Sequence, residues 1–251
     1  MTKDTVAGGS GGYDDADAWR ARLGWAFGLV ADDPQVRAAA LAHLDEARAA
    51  TRAALARSNE YWRLTLPLGP EEQYREPAFR KALDAYYETL RHSLPSGLGD
   101  DGVRERSITA WPGLPYALLF LEWEARFPQE WTAHAKDWGT KQRLIRRLAV
   151  PDHTDDVRAK LTQLVELAVL RAHRCKDREY VRVARAVDGP ELRRKLADAA
   201  LTDRPWARLH AGYVLHLLDR PELPNTRYVW RSWLASPGET CPGGAGRSSW
   251  P

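Results

Sequence analysis

Helix starts are written along this chain more clearly than any other signal, and they leave room for little besides an all-α fold. Asp33-Pro34 places a capping carboxylate ahead of a proline at the first helical position, where the missing N–H costs nothing. Gly189-Pro190 and Asp203-Arg204-Pro205 are looser forms of the same device, and Asp155 and Asp156 suit the positive end of a helix beginning near Thr154. Apolar residues at helical spacing after these starts predict helices at about 14–31, 34–63, 77–93, 113–126, 128–137, 139–149, 154–187, 190–201 and 204–219, with a short one near 226–235. The 154–187 helix has one candidate break, near residue 176, and no segment reads as a strand. The expected architecture is an irregular bundle or superhelix of about ten helices.

The 251 residues are enough to bury a sizeable core. Segments 1–12 and 236–251 are rich in Gly and Pro and read as flexible tails around a single helical domain, 13–235. The irregular stretch from Leu94 to Pro112 is the natural boundary if that domain has two lobes, 13–94 and 112–235. The Leu164 to Leu170 run, interrupted only by Glu166, should be the most buried helix of the carboxyl-terminal half. Cys175 and Cys241 sit in unlike contexts and are not expected to pair. No run of about 18 apolar residues offers a membrane span, and the amino terminus is acidic where a signal peptide would be basic and then apolar. These features predict a cytoplasmic protein with no membrane partner.

Charge is where function first shows. Residues 1–125 hold 14 Lys/Arg against 19 Asp/Glu and residues 126–251 hold 23 against 15, so net charges of −5 and +8 divide the chain. Such a division suggests contact between the halves or a basic surface offered to an anionic partner. Arg171, Arg174, Arg178, Arg182 and Arg185 would share about 80° of arc on one continuous helix, with Val165, Val169, Ala172, Tyr180, Val183 and Val187 on its other side. Lys141, Arg143, Arg146 and Arg147, on a helix whose Leu144, Ile145 and Leu148 can face inward, could extend that stripe into a phosphate-tracking surface. The same arginines fit a solvated face trimmed by Asp177 and Glu179. A GC-rich coding bias, visible in the abundant Ala and Arg and only seven Lys, accounts for part of their number.

Eleven tryptophans are many for this length. Trp123, behind Leu118-Leu119-Phe120-Leu121, reads as a core anchor, whereas Trp230 and Trp233, near Arg227, Tyr228 and Arg231, read as a partner-binding surface. Glu130 and His134 stand four apart on a helix, but a metal site needs a further ligand and no second such pair appears, so no metal or other cofactor is expected. Asp100-Asp101-Gly102-Val103-Arg104-Glu105 resembles the acidic motif of class I terpene synthases only superficially, because it lies in a Gly-rich loop with no second metal motif after it. Gly-x-Ser-x-Gly, Walker-type and dinucleotide-binding glycine patterns are absent.

The segment Leu29 to Leu44, with Asp32-Asp33-Pro34 followed by Val36-Arg37-Ala38, resembles the inner-helix half of a HEAT-like repeat. Leu201 to Leu215, with Asp203-Arg204-Pro205 and Arg208, is a looser match, and Asp155-Asp156-Val157-Arg158 a weaker third. Together they cover about 50 residues, and their spacing is uneven. The resemblance implies a HEAT-like α-superhelix with a concave surface for protein or nucleic acid. Similarity to the HEAT-like DNA alkylpurine glycosylases would imply an enzyme, but no catalytic set maps onto this chain. The leading expectation is therefore a helical protein, not an enzyme, whose basic carboxyl-terminal half contacts nucleic acid or an acidic protein. A protein–protein adaptor using Trp230 and Trp233 is the alternative.

Overall fold

The computed structural model describes residues 15–99 and 107–235. The two predicted tails and the Asp100–Glu105 motif lie outside the described residues. Twelve α-helices follow one another, and no strand occurs among the described residues. They are α1 (Ala16–Leu23), α2 (Pro34–Thr65), α3 (Pro70–Arg75), α4 (Pro77–Arg91), α5 (Leu114–Arg126), α6 (Pro128–His134), α7 (Trp138–Leu148), α8 (Asp155–Leu170), α9 (Tyr180–Ala186), α10 (Pro190–Ala200), α11 (Pro205–Asp219) and α12 (Arg227–Ala235). No described helix is long and apolar enough to cross a membrane.

The capping logic of the sequence is visible at atomic distance. The Asp15 carboxylate accepts from Ala18 N at 2.9 Å and that of Asp33 from Gln35 N at 2.8 Å, which satisfies amides that the first helical turn leaves without partners. Arg37 folds back to donate to the carbonyls of Ala31 and Asp32 at 2.8 and 3.2 Å. Arg158 likewise reaches Pro151 O at 3.3 Å. Prolines occupy the first turn of α2, α3, α4, α5, α6, α10 and α11, where they cost no hydrogen bond.

Two elements differ from expectation. The 14–31 segment is α1 followed by a 3-10 stretch, Gly24–Val30, whose tighter winding brings Gly28 against α2. The 154–187 helix is two helices, because the backbone is extended at Arg171 and left-handed at Lys176 (φ 71°).

One contiguous core runs from Trp19 to Trp233. At its amino-terminal end Trp19 meets Trp111 edge-on at 5.3 Å and stacks on Tyr116 at 5.6 Å. Helix α5 passes through the middle with every residue from Tyr116 to Ala125 buried, including Glu122 and Glu124. Helix α8 packs against α5 on one side and against α9, α10 and α11 on others, while α2 pairs with α4 as a long hairpin. Backbone approaches are close where glycine permits: a Cβ on Gly28 would stand 2.9 Å from Ala40 Cβ, and one on Gly113 within 2.6 Å of the Trp19 and Trp111 rings. A Cβ on Gly69 would meet nothing within 4 Å. Gly28→Ala and Gly113→Ala should therefore each destabilise the fold by about 1–3 kcal/mol, through overpacking. Gly69→Ala should leave it nearly unchanged, and urea denaturation of the three variants checks this ordering.

Candidate anion-binding site

Glu124 organises the centre of the carboxyl-terminal half. Its side chain is wholly buried, and an isolated carboxylate in that position would be too costly to keep ionised. Three cations surround it: Lys141 Nζ at 3.1 Å, Arg171 Nη2 at 2.8 Å and Arg174 Nε at 2.8 Å. A second buried carboxylate, Asp177, pairs with Lys141 at 2.5 Å and Arg171 at 2.9 Å and accepts from Arg174 N at 2.9 Å. Further donors of these cations reach the carbonyls of Cys175, Glu124 and Pro128. The faces of Trp131 and Trp138 lie within 6 Å of the Arg174 guanidinium, a favourable place for a cation. Burial raises the Asp177 carboxyl, but Lys141, Arg171 and the hydrogen bonds outweigh it and hold the group below the usual carboxylate range.

This cluster corrects the continuous stripe. A single helix would show all five arginines to one side. The break at 171–176 instead turns Arg171 and Arg174 inward to Glu124, and Lys141 follows them into the core. Lys141 is wholly buried, and Arg171 and Arg174, mostly buried, are paired with Glu124. Arg143 is exposed beside Thr140, to whose hydroxyl it donates at 3.1 Å, and Arg147 is half-buried on α7.

The other half of the stripe converges with α7. Arg146 of α7, Arg178, Arg182 and Arg185 around α9, and Arg227 at the start of α12 line one cleft of about 570 Å³. Among the described residues that line it the only carboxylate is Glu179, so five guanidinium groups against one acid leave a formal charge of +4. Glu179 takes Arg146 at both carboxylate oxygens (2.9 and 3.0 Å), Arg182 at 3.1 Å and Gln142 at 2.9 Å. Burial works to raise the Glu179 carboxyl, but the bonds from Arg146 and Gln142 and the nearby charges prevail and hold it down to about 2. Arg185 reaches the carbonyls of Leu217 and Leu223 at 3.2 and 2.6 Å. Arg227 forms no ion pair among the described residues.

A smaller, mostly apolar pocket of about 50 Å³ adjoins the cleft and shares Arg178, Val181 and Asn225 with it. Asn225 is the partition: its amide donates to Arg178 O at 2.7 Å and its carbonyl accepts from the Tyr213 hydroxyl at 3.3 Å. Tyr180 and Trp230 form walls, and the buried Tyr180 hydroxyl has no hydrogen-bond partner. His173 and His210 meet with ring centroids 5.7 Å apart. Burial lowers both, and His210, with His173 beside it, falls to about 4, so the pair is neutral at pH 7.

Trp230 and Trp233 are core residues, which corrects the reading of them as a partner surface: both are buried against Tyr213, at 4.7 and 5.4 Å between centroids. Of that predicted group Tyr228 is exposed, and Arg227 joins the cleft. Glu130 and His134 are engaged with Arg37 and Asp45, at 3.6 and 3.0 Å, and no cluster of three metal-ligating side chains occurs among the described residues. Sequence reasoning missed Glu124. The available signal was two glutamates inside Leu118 to Ala125, a segment with no polar side to receive them. Comparison of the chain with protein-family models, with curated proteins and with solved structures finds no match to any of them.

Two predictions follow from these partners. Glu124→Gln leaves three buried cations with one carboxylate and should cost about 3–5 kcal/mol of stability, read from urea denaturation. The Glu179 carboxyl is lower folded than unfolded, so its contribution is full above about pH 4.5 and disappears as pH falls toward 2. His210, also lowered by folding, withdraws stability in a higher window, as pH falls from 6.5 toward 4. Glu179→Gln should flatten the stability profile in the lower window alone and His210→Phe in the upper one alone, as followed by thermal unfolding across pH.

Proposed function

We propose that this chain is a helical binding protein that holds an anionic partner in the cleft formed by α7, α9 and the start of α12, and that the partner is a nucleic-acid strand. The observation that carries this reading is the convergence of five arginines from three segments on one concavity with a single carboxylate inside it. Guanidinium groups match phosphate oxygens two at a time, and they remain charged at any working pH. Arg182, more than half exposed, and Arg227, also exposed, can exchange water for phosphate without disturbing the core. The +8 charge of residues 126–251 supports attraction over a longer range.

The test is fluorescence anisotropy with labelled single-stranded and duplex oligonucleotides over a salt series. Neutralising about four phosphates on a single strand predicts a slope of roughly −3 in log affinity against log salt. Arg182→Glu with Arg227→Glu should weaken binding at least about tenfold while the circular dichroism spectrum stays unchanged. Equal affinity of that variant and the parent would rule out the cleft.

The adjoining pocket favours a second reading, a small anion carrying a compact apolar group. Arg178, Val181 and Asn225 belong to both cavities, so one ligand can place its charge in the cleft and its apolar part beside Tyr180 and Trp230. The two readings separate on competition. Displacement of the oligonucleotide by pyrophosphate and by a mononucleotide at equal concentrations favours the strand, and strong preference for a phenyl phosphate favours the small anion.

A further inference from the structure

The α2–α4 hairpin has an apolar face that no other described element covers. Thr51 Oγ1 donates to Thr89 O at 3.3 Å, which fixes the antiparallel register. The α2 side of the seam is small and buried (Ala54, Ser58, Thr65), and Phe79 is the buried residue of α4. At 100° per residue, Leu55, Trp62 and Leu66 fall within about 40° of one another and about 80° round α2 from that seam. Tyr87 lies about 80° round α4 from Phe79. Because the helices are antiparallel, the two offsets open on the same side of the hairpin. There Leu55 is 38%, Trp62 44%, Leu66 53% and Tyr87 55% exposed.

We infer that this face is the contact between two copies of the chain, joined about a twofold axis so that their hairpins stack into a four-helix layer. The area fits. With aromatic side chains offering roughly 150–250 Å² each, the exposed parts of Trp62 and Tyr87 and of the two leucines come to roughly 400 Å² of largely apolar surface. A standard interface of about 800 Å² per partner needs about that much apolar area. The charge fits too. Residues 50–91 carry seven Lys/Arg and six Asp/Glu, so the hairpin is nearly neutral and does not repel its own image. A nucleic acid or an anionic membrane would call for one sign of charge. A two-helix layer with a bare apolar face completes a core when it meets another such layer, and a twofold axis supplies one without a second gene product.

Sedimentation velocity of the full-length protein over a concentration series tests the pairing. The expected result is a reversible dimer whose dissociation constant rises at least about tenfold in Trp62→Glu/Leu66→Glu, and independently in Tyr87→Glu on the partner helix. Leu64→Glu, on the opposite side of α2 and 69% exposed, should leave the dimer intact. Should the double variant lose its helical signal, Tyr87→Glu decides alone. A parent protein that is monomeric at every concentration overturns the inference, as does a dimer insensitive to Tyr87→Glu. Co-sedimentation of a monomeric parent with phosphatidylcholine/phosphatidylserine vesicles would overturn it as well, by giving the face to a membrane.

Discussion

A carboxylate without access to water, Glu124, sets terms that the chain around it must meet. Two charges close together in a medium far less polar than water attract strongly, but each loses its hydration, and the balance favours folding only with good geometry and saturated hydrogen bonds. Here three cations from two separate segments converge on Glu124, and Asp177 offsets part of their excess. Two of those cations lie just past the end of α8. They reach Glu124 because the backbone leaves the helix at Arg171 and re-enters it through the turn at Asp177–Glu179.

That turn then links the buried cluster to the cleft. Asp177 and Glu179 are two residues apart and face opposite ways, the first toward Lys141 in the core and the second toward Arg146 and Arg182 at the surface. Helix α7 is thereby tied to the turn at both carboxylates, through Lys141 at Asp177 in the core and through Gln142 and Arg146 at Glu179 in the cleft. The position of Arg146 relative to Arg178, Arg182 and Arg185 follows from that double attachment. Glu179 keeps like-charged arginines together in the absence of a ligand, and by occupying Arg146 on both oxygens it leaves Arg227 and the outer edge of Arg182 as the groups most open to an incoming anion.

The helices could be read from the sequence because their starts are local: Asp33-Pro34 or Gly189-Pro190 fixes a boundary without help from distant residues. Helix α3 escaped notice because Pro70–Arg75 has no apolar periodicity. The stripe misled for a related reason. Spacing of three and four continues across residues 171–185 whether or not the backbone does, and the carboxylate that Arg171 meets beyond the break lies 47 residues earlier in the chain. Trp230 and Trp233 read as a partner surface because their covering partner, Tyr213, belongs to another helix. Convergence of Arg146 with Arg178, Arg182 and Arg227 is likewise a tertiary fact, and its traces in the sequence were the charge division of the chain and two arginine clusters that could join.

The two surfaces proposed above lie on different elements, the hairpin on α2 and α4 and the cleft on α7, α9 and α12, so occupancy of one does not consume the other. A twofold pairing through the hairpins would carry two arginine clefts on one particle. An anionic strand long enough to reach both would then bind the second cleft at an effective concentration set by its own length, which strengthens attachment without any new contact. A small anion gains nothing from the pairing, since each cleft would fill independently. Dependence of affinity on strand length, present in the dimer and lost in the hairpin variants, is therefore the property that would connect the pairing to the cleft.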